Sequence, residues 1–204
     1  MASATAVCLT LGLAVAQPAC AGAVKFNSTA EIDAHPNAVF GFGGVLTKGG
    51  LGDTILFQAG YGSDWILGGG YQRFVLSNRW GFSLGGEMGV AGRFDGSTTG
   101  EIWAAGVIRH AGFTLFDRIS IAGSVSFGFS AVSGPNSIER QREIAHNGNA
   151  SFLFYLRPEI DVSTPRLPGT ELFIATQHRS GGNGVLGNLA EGANASVIGI
   201  RRRF

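Results

Sequence analysis

The sequence has few cysteines, few charged residues and no long apolar run beyond its start, and each shortage excludes a class of protein. Both cysteines, Cys8 and Cys20, lie in the first 23 of 204 residues, so the remainder can form no disulfide framework. Charged residues make up 14% and the net charge is +1, which with the lack of any nucleic-acid motif excludes nucleic acid as an expected partner. No later stretch approaches the roughly 18 apolar residues of a membrane helix.

Residues 1–23 have the features of a secretory signal peptide. An apolar run ends in the small residues Ala21-Gly22-Ala23, a pattern typical of a cleavage site. We expect cleavage there, which leaves 24–36 as a periplasmic N-terminal segment before a single domain, 37–204. Two alternatives stay open: a buried N-terminal helix, and a lipoprotein modified at Cys20.

Glycine, with 33 residues, and aromatics, at 10%, are abundant, and apolar residues recur at intervals of two. Between Ser120 and Ser130 one face is apolar and the other small or polar, which is the period of a strand. The same reasoning predicts eight strands, each long enough to cross a bilayer at a tilt. They are 37–46, 63–76, 80–93, 99–110, 119–131, 150–162, 171–181 and 194–204.

These strands predict an all-β fold, an eight-stranded antiparallel transmembrane up-and-down β-barrel in the outer membrane of a Gram-negative cell. With both ends periplasmic, the outside connections are 47–62, 94–98, 132–149 and 182–193. Phe204 at the C-terminus resembles the signal read by the barrel assembly machinery. Small Gly, Ser and Ala residues are expected to line a lumen without a diffusion pore. The alternative is a soluble lipocalin-like barrel, whose polar face would be outward and charged.

The segment 171–180 carries the candidate chemistry. His178 and Ser180 share a face with Leu172 and Ile174, so if that face meets lipid, an imidazole and a hydroxyl lie side by side near the extracellular rim. Polar groups there are costly unless paired or functional. A histidine so placed is a candidate general base toward a serine nucleophile.

The His-x-Ser pair, the Gly/Asn-rich loop and the acidic residue after it resemble the lipid A 3-O-deacylases of the PagL type, an acyloxyacyl hydrolase-like family of outer-membrane barrels. The resemblance implies a serine esterase that removes an ester-linked acyl chain from lipid A. In this role His178 is the base, Ser180 the nucleophile and Glu191 the residue that orients the histidine. Asn194, which lies on the same side of the last strand as the lipid-facing Ile198, is an alternative to Glu191 as the third residue of the triad.

Further residues are candidates for stabilising the oxyanion and for binding the substrate. The resemblance places Asn188 in oxyanion support, and N–H groups of Gly181 and Gly182 are candidates for an oxyanion hole. Arginine and lysine suit lipid A phosphates, and the candidates are Lys48, Arg140, Arg142 and Arg179.

No cofactor follows from this mechanism. The other histidines lack metal-ligand spacing, so no metal is expected. Expected partners are lipid A or lipopolysaccharide, outer-membrane lipid and the assembly machinery. The competing function is a non-catalytic barrel of structural or adhesion type that makes contacts through its outside loops.

Overall fold

Eight antiparallel strands close into a barrel in the computed structural model, which describes residues 24–204. The predicted signal peptide and Cys20 lie outside the described residues. The barrel strands are β2 Asn37–Thr47, β3 Tyr61–Ser77, β4 Phe82–Phe94, β5 Thr98–Leu115, β6 Ile119–Val132, β7 Phe152–Ser163, β8 Thr170–Ser180 and β9 Asn194–Arg203. Each pairs with its sequence neighbour, and β9 pairs with β2 to close the ring. The predicted fold class is confirmed.

Four short elements were not predicted. They are β1 Val24–Phe26, α1 Ala30–Ala34, α2 Leu51–Ile55 and α3 Ser137–His146. Strand β1 pairs with the end of β5, beyond the start of β4. Ile32 of α1 packs against Phe74 and Val107, so the segment 24–36 lies across one mouth of the barrel. Within the described part of the chain, no helix combines the length and the apolarity needed to span a bilayer.

The outer surface of the barrel is apolar and its inner surface is polar. On β6, Phe127 and Phe129 are exposed while Ser126 and Ser130 are buried. A soluble barrel would show the reverse pattern, because its outer face meets water. Exposed aromatic residues also gather near both ends of the strands, as in the girdles of outer-membrane barrels. They are Tyr61, Trp65, Phe129 and Phe152 at one end, and Phe26, Trp80, Phe82, Phe116 and Phe204 at the other.

The two ends of the barrel differ in the length of their connections. Short turns join β3 to β4, β5 to β6 and β7 to β8, at the end where Val24 and Phe204 lie. The connections 48–60, 133–151 and 181–193 are longer and lie at the opposite end. Longer loops are extracellular in such barrels, so His178 and Ser180, at the end of β8, lie near the extracellular rim.

The interior is filled by side chains, but the prediction that these are mainly small was wrong. The buried set of the described residues includes six arginines and six carboxylates. They are Arg93, Arg109, Arg157, Arg179, Arg201, Arg203, Glu87, Glu101, Glu139, Glu159, Asp161 and Glu171. These side chains are buried, and charge persists there because each sign is paired with the other.

Glu87 is the centre of this buried network. Its carboxylate accepts hydrogen bonds from Arg157 at 2.6 Å and from Trp103 Nε1 at 2.9 Å. Gln72 donates to it at 2.6 Å and Ser126 at 3.0 Å. Four partners on four other strands therefore converge on one side chain, which makes Glu87 a cross-link of the barrel.

Candidate active site

A row of polar side chains crosses three strands on the outer face of the barrel, near the extracellular rim. Asn194 of β9 is the register partner of both Thr47 of β2 and His178 of β8. Register partners in antiparallel strands lie on the same face, with Cβ atoms about 5 Å apart. Pairing alone thus brings these three side chains together on the lipid-facing side.

The histidine and the asparagine are joined by a short hydrogen bond. His178 Nδ1 lies 2.5 Å from Asn194 Oδ1, and Asn194 Nδ2 donates to the carbonyl of Gly49 at 2.8 Å. Because a carbonyl only accepts, the Gly49 contact fixes Nδ2 on that side and leaves Oδ1 toward the imidazole. A neutral His178 must then carry its hydrogen on Nδ1, so Nε2 keeps the lone pair that a general base requires.

The loop 48–60 covers this pair from outside. Its helix α2 packs against β8 and β9, and Thr54 Oγ1 lies 2.8 Å from Thr47 Oγ1. As a result His178 is only 7% exposed and Asn194 1% exposed. The cost of polar groups at the lipid boundary is reduced because the loop, rather than lipid, contacts them.

Ser180 follows His178 on the same outward face and is half-buried. Two residues along a strand separate their Cα atoms by about 6.8 Å. Among residues 24–204, no hydrogen bond joins the Ser180 hydroxyl to His178. Such contacts are often long without substrate and tighten only in the complex.

Glu191 has a different partner. Its carboxylate accepts from Arg142 at 3.2 Å, and Arg142 also donates to the carbonyl of Gly192 at 2.5 Å. Glu191 therefore links α3 to the loop 181–193. Of the two third members left open by the sequence, the structure brings Asn194 to the imidazole, because Asn194 lies in register with it whereas Glu191 lies in the loop before β9.

The turn after Ser180 has no room for side chains. A Cβ on Gly181 would lie 2.1 Å from the Leu189 carbonyl oxygen and 2.2 Å from that of Leu186. Gly182 has a φ of +61°, a conformation that favours glycine. Among the described residues no hydrogen bond uses the N–H of either glycine, so both groups remain available beside the serine hydroxyl.

Gly181→Ala is expected to disrupt this turn, because its Cβ would overlap two backbone oxygens that cannot move independently. We expect a loss of at least about 2 kcal/mol in the free energy of unfolding, measured by urea titration in lipid vesicles. Gly52→Ala is the control, since its Cβ would meet nothing within 4 Å. Equal stability of the two variants would contradict the packing described for Gly181.

Asn188 fastens the loop to a neighbouring helix. Its Nδ2 donates to the carbonyl of His146, at the end of α3, at 2.7 Å, and its φ is +52°. Within the described part of the chain its side chain makes no hydrogen bond with His178 or Ser180. Its contacts are structural, and no contact among the described residues supports the predicted role of Asn188 in binding the oxyanion.

Arg179 requires a correction as a substrate-binding residue. It is 2% exposed and points into the lumen, where it donates to Ser130 at 2.7 Å, to the Ala150 carbonyl at 2.8 Å and to Glu139. The physical reason is strand parity, because Arg179 lies between two outward residues and so faces inward. Its guanidinium is occupied and cannot reach a lipid phosphate.

The three other basic candidates lie at the extracellular rim. Lys48 and Arg142 line one cleft of about 410 Å³ together with Ser137 and Asp64. Arg140 is exposed on α3. Among residues 24–204 there is no group of three or more His, Cys, Asp or Glu side chains arranged to hold a metal ion.

These observations define the chain as an eight-stranded outer-membrane β-barrel with a polar row under an extracellular loop. No protein-family model matches the sequence, and no curated protein matches it.

Solved structures do resemble it. The outer membrane enzyme PagL aligns with a TM-score of 0.51 and 16% identity over 82% of this chain and 99% of that one. For Neisserial surface protein A the TM-score is 0.48 and the sequence identity 10%, over 83% of this chain and 97% of that one. For the N-terminal β-barrel domain of Pseudomonas aeruginosa OprF the TM-score is 0.45 and the sequence identity 9%, over 83% of this chain and 98% of that one. At these identities the likeness concerns the fold alone.

Proposed function

We propose that this barrel is an outer-membrane serine esterase that removes an ester-linked acyl chain from lipid A. The observation that carries the proposal is the bond between His178 and Asn194, because the Gly49 contact of Asn194 sets the tautomer in which Nε2 can accept a proton. Ser180 lies two residues from His178 on the same outward face of β8.

The chemistry follows the serine hydrolase scheme. Ser180 Oγ attacks the ester carbonyl carbon while His178 Nε2 takes the hydroxyl proton. The N–H groups of Gly181 and Gly182 hold the oxyanion of the tetrahedral intermediate. The intermediate then expels the sugar alcohol, which receives the proton from His178. Water attacks the acyl-serine in a second, equivalent cycle and releases the free fatty acid.

The extracellular rim supplies a place for an anionic headgroup. Lys48 lines a cleft on the side of the membrane where the lipid phosphates lie, and Arg140 adds an exposed charge on α3. Arg142 lines the same cleft but is already bonded to Glu191 and to the Gly192 carbonyl. Lys48 is exposed and adjoins Gly49, the residue that holds Asn194.

Wild type produced in a Gram-negative host is expected to convert lipid A to a form lighter by one acyl chain. Ser180→Ala should abolish the conversion, since removal of a nucleophile leaves at most a residual activity about 10³-fold to 10⁶-fold lower. Mass spectrometry of extracted lipid A measures the result. Comparable amounts of folded barrel in the membrane serve as the control.

An unchanged acyl pattern in wild type and in an empty-vector strain would contradict the esterase and favour the second function, a non-catalytic barrel that acts through its outer loops. One observation supports that alternative. Ile144 on α3 and Val185 in the loop 181–193 are large apolar residues, 79% and 73% exposed on the extracellular side. Exposed apolar side chains mark a contact site with another protein when they form a contiguous patch.

A further inference from the structure

Four phenylalanines form a continuous aromatic cluster on the outward face of β6 and β7. The rings of Phe129 and Phe152 stack with centroids 5.4 Å apart, and those of Phe127 and Phe154 stack at 5.9 Å. Phe129 also contacts Phe154, at 5.4 Å, so the four rings are connected. We call this cluster the phenylalanine surface. Phe127, Phe129 and Phe152 are 57%, 45% and 51% exposed, which leaves their outer faces free to contact lipid.

The phenylalanine surface lies in the extracellular half of the barrel. Strand β6 ends at Val132 and β7 begins at Phe152, and the connection between them, 133–151, is one of the long extracellular loops. All four rings are close to these two strand ends. The phenylalanine surface therefore faces the outer leaflet, in which the proposed lipid A substrate lies.

The phenylalanine surface begins at the candidate nucleophile. Phe154 is the register partner of Ser180 on β8 and of Phe129 on β6. Register partners lie on the same face, with Cβ atoms about 5 Å apart. Phe154 also packs against the turn after Ser180, since a Cβ on Gly182 would lie 2.8 Å from Phe154 Cε2. From Ser180 the surface extends over two strand spacings, about 10 Å.

The other side of Ser180 is covered by protein. The loop 48–60 packs through α2 against β8 and β9 and buries His178 and Asn194. The exposed rings on β6 and β7 show that the wall on the opposite side is open. An acyl chain attached to an ester carbonyl at Ser180 therefore has free barrel wall only toward β7.

The residue type also distinguishes this cluster from an ordinary aromatic girdle. Tryptophan and tyrosine favour the interface because each ring carries a polar group that reaches the headgroups, and Tyr61 and Trp65 occupy the extracellular end of β3 in this way. Phenylalanine has no such group. Four adjacent phenylalanines are suited to contact with hydrocarbon.

We propose that the phenylalanine surface binds the acyl chain of the ester that Ser180 attacks; the proposal rests on the esterase function above. Lipid already surrounds this wall, so the gain is in orientation. A chain held along the rings by many weak contacts keeps its carbonyl at the serine. An extended chain advances about 1.3 Å per carbon, because carbon–carbon bonds are about 1.5 Å long and zigzag. Four carbons thus reach only Phe154, whereas about eight or more also contact the rings on β6.

The test compares hydrolysis of synthetic esters with acyl chains of about 4 and 12 carbons by the purified barrel in mixed micelles. The double variant Phe127→Ala/Phe129→Ala removes the β6 half of the surface and leaves Phe154 in place against Gly182. We expect kcat/KM for about 12 carbons to fall at least about tenfold, while the value for four carbons changes less than about twofold.

The matched control is Phe82→Ala/Leu84→Ala. These are also two large apolar residues, two apart on one strand and 42% and 46% exposed on the outward wall, but they lie at the opposite end of the barrel. The control should keep the wild-type values for both esters. The single variant Phe129→Ala repeats the test with a smaller change to the wall, in case the double variant folds poorly.

The readout is the ratio of the long-chain to the short-chain kcat/KM, which a smaller amount of folded barrel does not alter. A wild-type ratio in Phe127→Ala/Phe129→Ala and in Phe129→Ala would overturn the phenylalanine surface and leave the esterase intact, and so would an equal fall of the ratio in the control. Wild type that cleaves neither ester would overturn the esterase and the phenylalanine surface together.

Discussion

Asn194→Ala is expected to lower kcat for ester hydrolysis by about 10²-fold to 10⁴-fold, because the imidazole of His178 loses the acceptor that keeps its hydrogen on Nδ1. Glu191→Gln is expected to retain most of the activity, since that carboxylate bonds to Arg142 rather than to His178. Steady-state kinetics on one soluble ester compare both variants with wild type. His178→Ala sets the level of complete loss.

The effect of Asn194 on the imidazole must be separated from its effect on the loop 48–60. Thr54→Val removes the contact of that loop with Thr47 and leaves the His178–Asn194 bond in place. This control should change kcat by less than about tenfold, because the imidazole keeps its acceptor. A larger loss in Glu191→Gln than in Asn194→Ala would reverse the assignment of the third member.

Glu87→Ala is expected to cost about 3–5 kcal/mol in the free energy of unfolding. The substitution leaves Arg157, which is fully buried, without its 2.6 Å carboxylate partner. It also removes the acceptor of Trp103 Nε1. Arg157 keeps only its 3.3 Å pair with Glu159, and the loss of a buried charge partner is a larger penalty than the volume lost; urea titration in lipid vesicles measures it.

Met88→Ala is the matched control for Glu87→Ala. Met88 is the next residue on β4 but points outward and is 61% exposed. Truncation there therefore removes mainly contacts between the side chain and lipid. We expect a change of less than about 1 kcal/mol. A loss at Glu87 no greater than that at Met88 would show that the lumen network does not stabilise the barrel.

Most of the barrel was predictable because a strand repeats every two residues. The predicted strand 63–76 is observed as Tyr61–Ser77, and 171–181 as Thr170–Ser180. The predicted parity of β8 also holds, since Leu172 and Ile174 are exposed while Phe173 is buried. The same parity had placed Arg179 inward, which is why its assignment to substrate was inconsistent with the strand pattern.

The helices and the lumen charges were harder to predict. The sequence analysis did not predict helix α3, although Asn136 and Glu139 form a capping box at its start. The Asn136 side chain accepts from the Glu139 N–H at 2.8 Å, and the Glu139 carboxylate accepts from the Asn136 N–H. That capping box is visible in the sequence. The lumen charges alternate regularly along their strands, but their partners lie on distant strands, so their pairing follows from closure and register.

The sequence alone determined the barrel, its outward apolar face and the placement of His178 and Ser180 on one face of β8, because these depend on the alternation of neighbouring residues along one strand. Tertiary structure decided which residue holds the histidine, what covers it and how the buried charges are paired. Those contacts join residues far apart in the chain, such as Gly49 and Asn194, and only closure of the barrel and folding of the loop 48–60 over its wall bring them within hydrogen-bonding distance.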